Sequence, residues 1–196
     1  MGKLREDVLS ILWESSDFET AVYEALAMIG KQFAANSVYL TEISDNKVMN
    51  IYFWKPEGST EEPTQETERI TQDFFDKTTH LIGDKEILYW CLDDTQGSIT
   101  DAFRKCGTRT VLLCPIRQDN SCAYLGVSDF TSCRREWEND EIIRTGLLTL
   151  SKVIGTFLLK TRSTKRSEKT RHNLEESLHV SEQRTDTANA LLDGIS

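Results

Sequence analysis

The sequence predicts an α+β domain with a central antiparallel sheet flanked by helices, and with N- and C-terminal helices that form a dimer bundle. Three observations lead there. Apolar residues recur with helical spacing at both ends of the chain. Strand-like runs separated by turn residues fill the middle. From Glu138 onward there is no proline, so a long helix can run without a break.

Over residues 3–15, Leu4, Val8, Ile11 and Leu12 fall on one helical stripe with Trp13 beside it. Ser16, with Glu19 three residues on, fits a capping box, and the helix it opens carries Phe18, Val22, Leu26, Ile29 and Phe33 on one face. Residues 37–43 read as a strand, Asp45-Asn46-Lys47 as a turn and residues 48–54 as the returning strand. Pro56, Gly58 and Pro63 mark an exposed loop. Helical spacing returns over 67–81, with Ile70, Phe74 and Thr78 facing inward. Residues 87–90 form a short strand, and 98–105 a brief helix closed by Gly107. Residues 110–116 and 122–128, joined by a polar turn, form a second hairpin. Pro115 cannot donate a ladder bond and therefore belongs at an edge or a bulge.

In the closing stretch Ile143, Leu147, Leu150, Ile154 and Phe157 follow the spacing of a helix packed on a helix, as do Leu174, Leu178, Ala188, Leu192 and Ile195. Between the two sets, residues 160–172 are basic and lack large apolar side chains. An exposed connecting helix accounts for this better than contact with acidic lipid or RNA.

With 32 acidic against 23 basic residues and a net charge of −9, the surface repels a phosphate backbone, which argues against nucleic acid as a partner. No apolar run approaches the roughly 20 residues of a bilayer span, so no membrane insertion is expected, and the first residues lack a secretory apolar stretch. The five cysteines (Cys91, Cys106, Cys114, Cys122 and Cys133) are odd in number and form no CxxC pair, the pattern of reduced thiols in a cytoplasmic chain.

The run Thr110-Val-Leu-Leu-Cys-Pro-Ile116, a polar turn and Tyr124-Leu-Gly-Val-Ser128 lead through Arg134-Arg-Glu-Trp137 and Asp140-Glu-Ile-Ile143 into the last helix. This order resembles the GAF family of small-molecule sensor domains, over roughly residues 17–160. The resemblance implies a six-stranded antiparallel sheet. Helices on one face would pack against partner helices, and loops would close over the other face to make a ligand pocket. It divides the chain into an N-terminal helix (1–16), a GAF-like sensor domain (17–160) and a helical coiled-coil linker (161–196) to a missing downstream domain. The ending Ala190-Leu-Leu-Asp-Gly-Ile-Ser196 resembles the entry helix of a PAS-type domain. In bacterial proteins such modules feed diguanylate cyclases (GGDEF domains), histidine kinases or similar outputs.

The residues discriminate among the chemistries that the resemblance brings. The Asn-Lys…Phe…Asp-Glu signature of cyclic-nucleotide relatives is missing its Asn-Lys pair, since Asn46-Lys47 lies in a turn far upstream. Bilin attachment uses a Cys commonly followed by His, whereas Gly107 follows Cys106. A methionine sulfoxide reductase of this family needs a thiolate and a resolving thiol, for which Cys114 and Cys122, flanking a hairpin turn, are the candidates. His80, His172 and His179 are scattered, so no metal site is expected. In the second strand Asn50, Tyr52 and Trp54 share one face, while Met49, Ile51 and Phe53 share the other. The first set, joined by Phe74, Trp90 and Phe103, is the expected ligand pocket, with plain core packing as the competing account.

The expected function is that of a cytoplasmic sensor without catalytic residues, which binds an unidentified small molecule and controls an output through the helical linker. A parallel homodimer is expected through Leu4, Val8, Ile11 and Leu12 together with Leu150, Ile154 and Phe157. The alternatives are a thiol-based enzyme of the methionine sulfoxide reductase type and a ligand-free dimerisation scaffold. No cofactor is named by the residues.

Overall fold

The computed structural model describes the backbone of residues 1–44, 46–56, 65–82, 84–94, 96–97, 100–101, 104–105, 107–117 and 121–193, and their side chains except at 66, 67, 78–81, 121, 166 and 179–193. It divides into two units, Met1–Phe157 and Leu158–Ser196.

The first unit opens with α1 (Gly2–Glu14) and α2 (Phe18–Phe33). The start of α2 differs from the expected Ser16–Glu19 box. Asp17 is the cap, and its carboxylate accepts the amide of Thr20 at 2.8 Å. An ionised acceptor satisfies that amide and also suits the positive end of the helix. Then come β1 (Ser37–Ser44), β2 (Lys47–Trp54), α3 (Gln65–Ile82), β3 (Leu88–Cys91), β4 (Thr110–Arg117) and β5 (Ser121–Asp129). The strands form one antiparallel sheet in the order β2-β1-β5-β4-β3, which puts the second hairpin at its centre. Five strands are described where six were expected. Pro115 lies on β4 beyond Leu113, the last residue paired to β3, so its missing donor costs no ladder bond.

A short helix, Arg135–Asn139, leads into the final helix, Glu141–Asp193. Asp140 caps the latter by accepting the amide of Ile142 at 2.8 Å. One face of the sheet is covered by helices. α1 packs on α2, α2 packs on β1 and β2, and Gly155 of the final helix lies against Ile116 of β4. Leu4, Val8, Leu12, Leu150 and Ile154 are all buried within this one chain. These residues of the stripe expected to face a second copy are therefore packed inside the chain, with α1 against α2, while Ile11 and Phe157 are half-buried. The 3.5-residue period marks a packed helix face without saying what covers it.

The final helix also corrects the expectation about length and apolarity. A window within Glu141–Leu178 is long and apolar enough to cross a bilayer, but 39% of it is buried in the fold, where Leu147, Leu150 and Ile154 are core residues. The second unit is helical through Asp193, and its described side chains are mostly exposed, including Leu174 and Leu178.

The cysteines differ from expectation too. Cys91 and Cys133 are joined in a disulfide, with Cα atoms 5.5 Å apart. The ladders β3–β4 and β4–β5 bring together two positions 42 residues apart, a closeness that spacing alone does not reveal. With one pair bridged, the cysteine count no longer argues for a compartment. Cys114 and Cys122 are free, and Cys106 lies outside the described residues.

Candidate functional site

On the sheet face opposite the helical layer, α3 lies over the strands and encloses a cavity of about 360 Å³. Its floor comes from alternate residues of three neighbouring strands, as the period of two requires. These are Ser37, Tyr39 and Thr41 of β1, Ile51 and Phe53 of β2, and Ser128 of β5, with Lys55 just beyond the end of β2. Val111 of β4 adds an apolar wall, and Ile70, Thr71 and Phe74 of α3 form the roof. Lys105, from a helical turn, and Thr108 and Phe130, from the loops, complete the lining.

The register explains the shape. Tyr39 stands beside Phe53 on one side and Gly126 on the other. A Cβ on Gly126 would come within 2.2 Å of the Tyr39 ring, so the absence of a side chain there lets that ring lie flat on the sheet and keeps the space above it open. This is the glycine of the Tyr124-Leu-Gly-Val-Ser128 run. Below the main cavity Phe75, Tyr124, Leu113 and Ile82 belong to a small apolar cluster that closes its base.

Few polar groups enter. Ser37 and Ser128 face each other across the β1–β5 ladder with hydroxyl oxygens 2.5 Å apart. The Thr41 hydroxyl is buried at the floor and has no hydrogen-bond partner among the described residues. A buried hydroxyl left unpaired costs about 1–3 kcal/mol, so one on a cavity wall is a place where a ligand atom or water gains a bond. Lys105 donates to Asp73 of α3 at 3.2 Å, and Lys77 donates to the same carboxylate oxygen at 2.9 Å. The Lys77 hydrogen bond, with help from Lys105 and against the cost of burial, holds the Asp73 carboxyl below its ordinary range. Lys55 sits over the Phe53 ring, 5.2 Å from its centre.

The expected pocket residues separate. Phe74 lines the cavity. Tyr52 and Trp54 are buried on the opposite, helical face: Tyr52 packs edge-on to Phe18 and Tyr23, and Trp54 lies on Gly30 of α2. The face holding Ile51 and Phe53 is the one that lines the space, so the two faces of β2 are exchanged relative to expectation. Asn50 is exposed and donates to Glu42 at 3.5 Å. Trp90 is half-buried, packs edge-on against Phe74 and does not reach the lining. Phe103 lies outside the described residues. The pattern of aromatics did not single out Tyr39, Thr41 or Lys55, although Gly126 was a legible signal that some large side chain crosses it.

No described cysteine lines the cavity. Cys114 hydrogen-bonds to Ser151 of the final helix on the helical face, whereas Cys122 bonds the Tyr124 hydroxyl on the other. The hairpin candidates for attacking and resolving thiol are thus on opposite sides of the sheet. Burial pushes the Cys114 thiol up to about 12. At about pH 8, near the ordinary thiol value, an aromatic disulfide reagent is expected to leave Cys114 unmodified in the native protein and to react once denaturant is added. Peptide mass mapping reads the outcome, and rapid native labelling of Cys114 would contradict its burial.

Beside the cavity mouth β5 ends in a dense polar knot. The Oδ1 atom of Asp129 accepts the Thr131 amide, the Thr131 hydroxyl and the Ser132 amide at 2.7, 2.7 and 2.8 Å, and its Oδ2 takes Arg134 at 3.2 Å. Thr110 of β4 bridges the same segment, donating to the Ser132 carbonyl and accepting the Arg134 amide. The Arg134 guanidinium lies over Trp137, which is fully buried. Residues 128–137 therefore run from the cavity wall at Ser128 and Phe130 to the entry of the final helix.

No family model and no curated protein matches the sequence. Solved structures do. The GAF domain of Thermosynechococcus elongatus PixJ, in its blue-light-absorbing form, is similar at TM-score 0.59 with 18% identity, covering 84% of this chain and 96% of that one. The free methionine-R-sulfoxide reductase of Neisseria meningitidis, solved with its substrate, is similar at 0.58 with 13% identity over 82% and 89%. An N-acylhomoserine-lactone-dependent LuxR-family transcription factor from Burkholderia cenocepacia is similar at 0.60 with 14% identity over 82% and 97%. At such identities the likeness carries the fold, and the fold is that of a GAF domain.

Proposed function

We propose that this GAF-fold chain is a sensor module that binds a small organic molecule between its sheet and α3 and reports occupancy through its final helix. One observation carries the reading: a cavity of about 360 Å³ with aromatic and aliphatic walls and a buried Thr41 hydroxyl at its floor that has no hydrogen-bond partner among the described residues. Apolar enclosure with a few directed polar groups is what a small-molecule site requires. The similar reductase holds its substrate, and the similar transcription factor depends on a lactone, so other chains of related shape serve ligands.

The reading extends to a homodimer and to a downstream output of the diguanylate cyclase or histidine kinase kind, in a bacterial cytoplasm. Its support is the long helix with Leu174 and Leu178 exposed four residues apart, the spacing of a seam awaiting a partner. The knot at residues 128–137 supplies a route from cavity to helix, because moving Ser128 or Phe130 pulls on the segment that positions Trp137. The chain itself is read as non-catalytic, in keeping with described cysteines that are bridged (Cys91, Cys133) or on opposite sides of the sheet (Cys114, Cys122).

A native mass spectrum of the purified protein tests this. The expected result is a dimer in which each chain carries one small molecule that denaturation releases. A bare chain whose melting temperature no member of a metabolite library raises would overturn the ligand. A monomer at micromolar concentration would overturn the dimer.

A further inference from the structure

We infer that the Cys91–Cys133 bridge is a reversible redox switch, opened by small thiols and closed by small disulfides, whose state sets how firmly the entry to the final helix is held. The inference goes beyond the ligand reading and needs no ligand. The bridge lies outside the cavity lining, so its chemistry concerns the fold and not a molecule bound there.

Its two ends differ in access. Cys91 is the last residue of β3 and only 1% exposed, whereas Cys133 is half-buried in the irregular stretch 131–134 between β5 and the short helix. A thiolate arriving from solvent therefore meets the Cys133 sulfur, and exchange runs there. The incoming sulfur bonds to Sγ of Cys133, the bond between the two cysteines breaks, and its electron pair leaves on Sγ of Cys91, which takes up a proton. A second small thiolate then bonds to the sulfur of the first, and Cys133 leaves as a thiolate that is protonated in turn. Two electrons have passed to the bridge and two small thiols have become one small disulfide. Closure is the reverse. A carboxylate oxygen of Asp93 lies within 4.8 Å of both sulfur atoms, and Arg109 donates to Asp93 at 2.8 Å. The cation offsets the repulsion that the carboxylate would exert on a departing thiolate.

The surroundings keep the sulfurs in place when the bond is open. The Leu92 amide donates to the Arg109 carbonyl and the Arg109 amide to the Asp129 carbonyl, both at 2.8 Å. With the β3–β4 and β4–β5 ladders, these bonds align the ends of β3 and β5 without the bridge. The same Arg109 carbonyl lies 3.7 Å from Cys133 Sγ, where it can accept the S–H of the open form. Thiols held side by side re-form their bond readily, which suits a switch. Opening acts on the stretch beyond β5. The Cys133 carbonyl accepts the Arg135 amide at 3.0 Å at the start of the short helix, and the Glu138 carbonyl of that helix accepts Arg144 of the final helix at 3.0 Å. Thr110 and Asp129 keep their hold on Ser132 and Arg134, so opening loosens the short helix without releasing it. The ion pair of Arg135 with Asp94 also joins it to the end of β3, but both side chains are half-exposed and such a pair holds weakly.

Hydrogen exchange and mass mapping of alkylated peptides, in buffers of reduced and oxidised glutathione, test the switch. The peptides of Cys91 and Cys133 are expected to pass from linked to alkylated and back as the ratio is raised and lowered, with the protein folded throughout. The amides of Arg135, Trp137 and Asp140 should exchange about tenfold faster in the open form, a part of what a lost cross-link gives the whole chain. Those of β1 and β5 should change by less than about twofold. Cys91→Ala/Cys133→Ala should match the open form in both buffers. A bond that opens only as the whole chain unfolds, or cysteines that never link in the oxidised buffer, would overturn the switch. So would a bond that opens while the three amides keep their rates, because it then carries nothing to the helix. A redox response that persists in the double variant would assign it to another thiol. Should the double variant not fold, Cys133→Ser, at the more exposed end, takes its place with the same outcomes.

Discussion

Replacing Asp129 with alanine is expected to destabilise the first unit by about 3 kcal/mol, because a buried ion pair loses one member. The carboxylate is only 2% exposed and accepts two amides, a hydroxyl and the Arg134 guanidinium. Alanine leaves those donors inside with nothing to bond. Arg134 keeps partial contact with water, at 25% exposure, and can fall back on Glu136 at 2.5 Å, which holds the estimate at the low end for a broken buried pair. In a unit of this size the melting temperature should drop by roughly 6–12 °C. Asp129→Asn retains an acceptor and should lose about 1 kcal/mol.

The same residue sets a pH dependence. Burial alone would raise the Asp129 carboxyl, but the Thr131 side chain, the Ser132 and Thr131 amides and the Arg134 charge outweigh it and hold the pKa below the ordinary carboxylate value. A group depressed in the folded state contributes its full stability above its unfolded value, near 4. That contribution fades as pH falls through the lower native value. The wild type should therefore lose stability below about pH 4 more steeply than Asp129→Asn. Parallel melting curves for the two proteins in acid would show that Asp129 is not the group responsible.

Much of this architecture was legible because local chemistry decides it. The polar turn between two apolar runs places the central hairpin, and Asp140, an acidic residue just ahead of the final helix, caps it. What was not legible depends on distant partners. Alternation along β2 separates Met49, Ile51 and Phe53 from Asn50, Tyr52 and Trp54, but it is symmetric and cannot say which set meets α2 and which meets α3. The tie is broken by Gly30 and by Phe18 and Tyr23 on α2, which receive Trp54 and Tyr52. The apolar period of α1 and the final helix is likewise silent between elements of the same chain and a helix of another, and here elements of the same chain bury most of it. The Cys91–Cys133 bridge follows from a register of three strands, and Thr41 became a site residue only when its missing partner could be seen.

That exchange of faces yields the second large effect. Gly30 sits inside α2, where alanine ordinarily gains about 1 kcal/mol of helix propensity. At this position a Cβ would lie 1.8 Å from Cζ3 of Trp54 and 2.2 Å from its Cε3, inside the ring's own volume. The ring is 7% exposed and cannot swing aside like the tip of a flexible chain. Overpacking of this kind costs about 1–3 kcal/mol and more when a rigid group must move. The clash exceeds the propensity gain, and Gly30→Ala should destabilise by about 2 kcal/mol net. Trp54→Leu alone removes much of a buried indole, with an expected loss of about 3 kcal/mol. Together the changes are not additive: the alanine methyl enters the space the indole leaves, so the double variant should recover about 1–3 kcal/mol relative to the sum. Denaturant melts of the four proteins read this coupling directly. Because Trp54 faces the helices and the cavity lies on the other side of the sheet, Trp54→Leu should change the affinity of an apolar fluorescent dye for the cavity by less than about twofold while lowering stability. If it abolished binding with stability intact, Trp54 would belong to the ligand after all and the assignment of the two faces would fail.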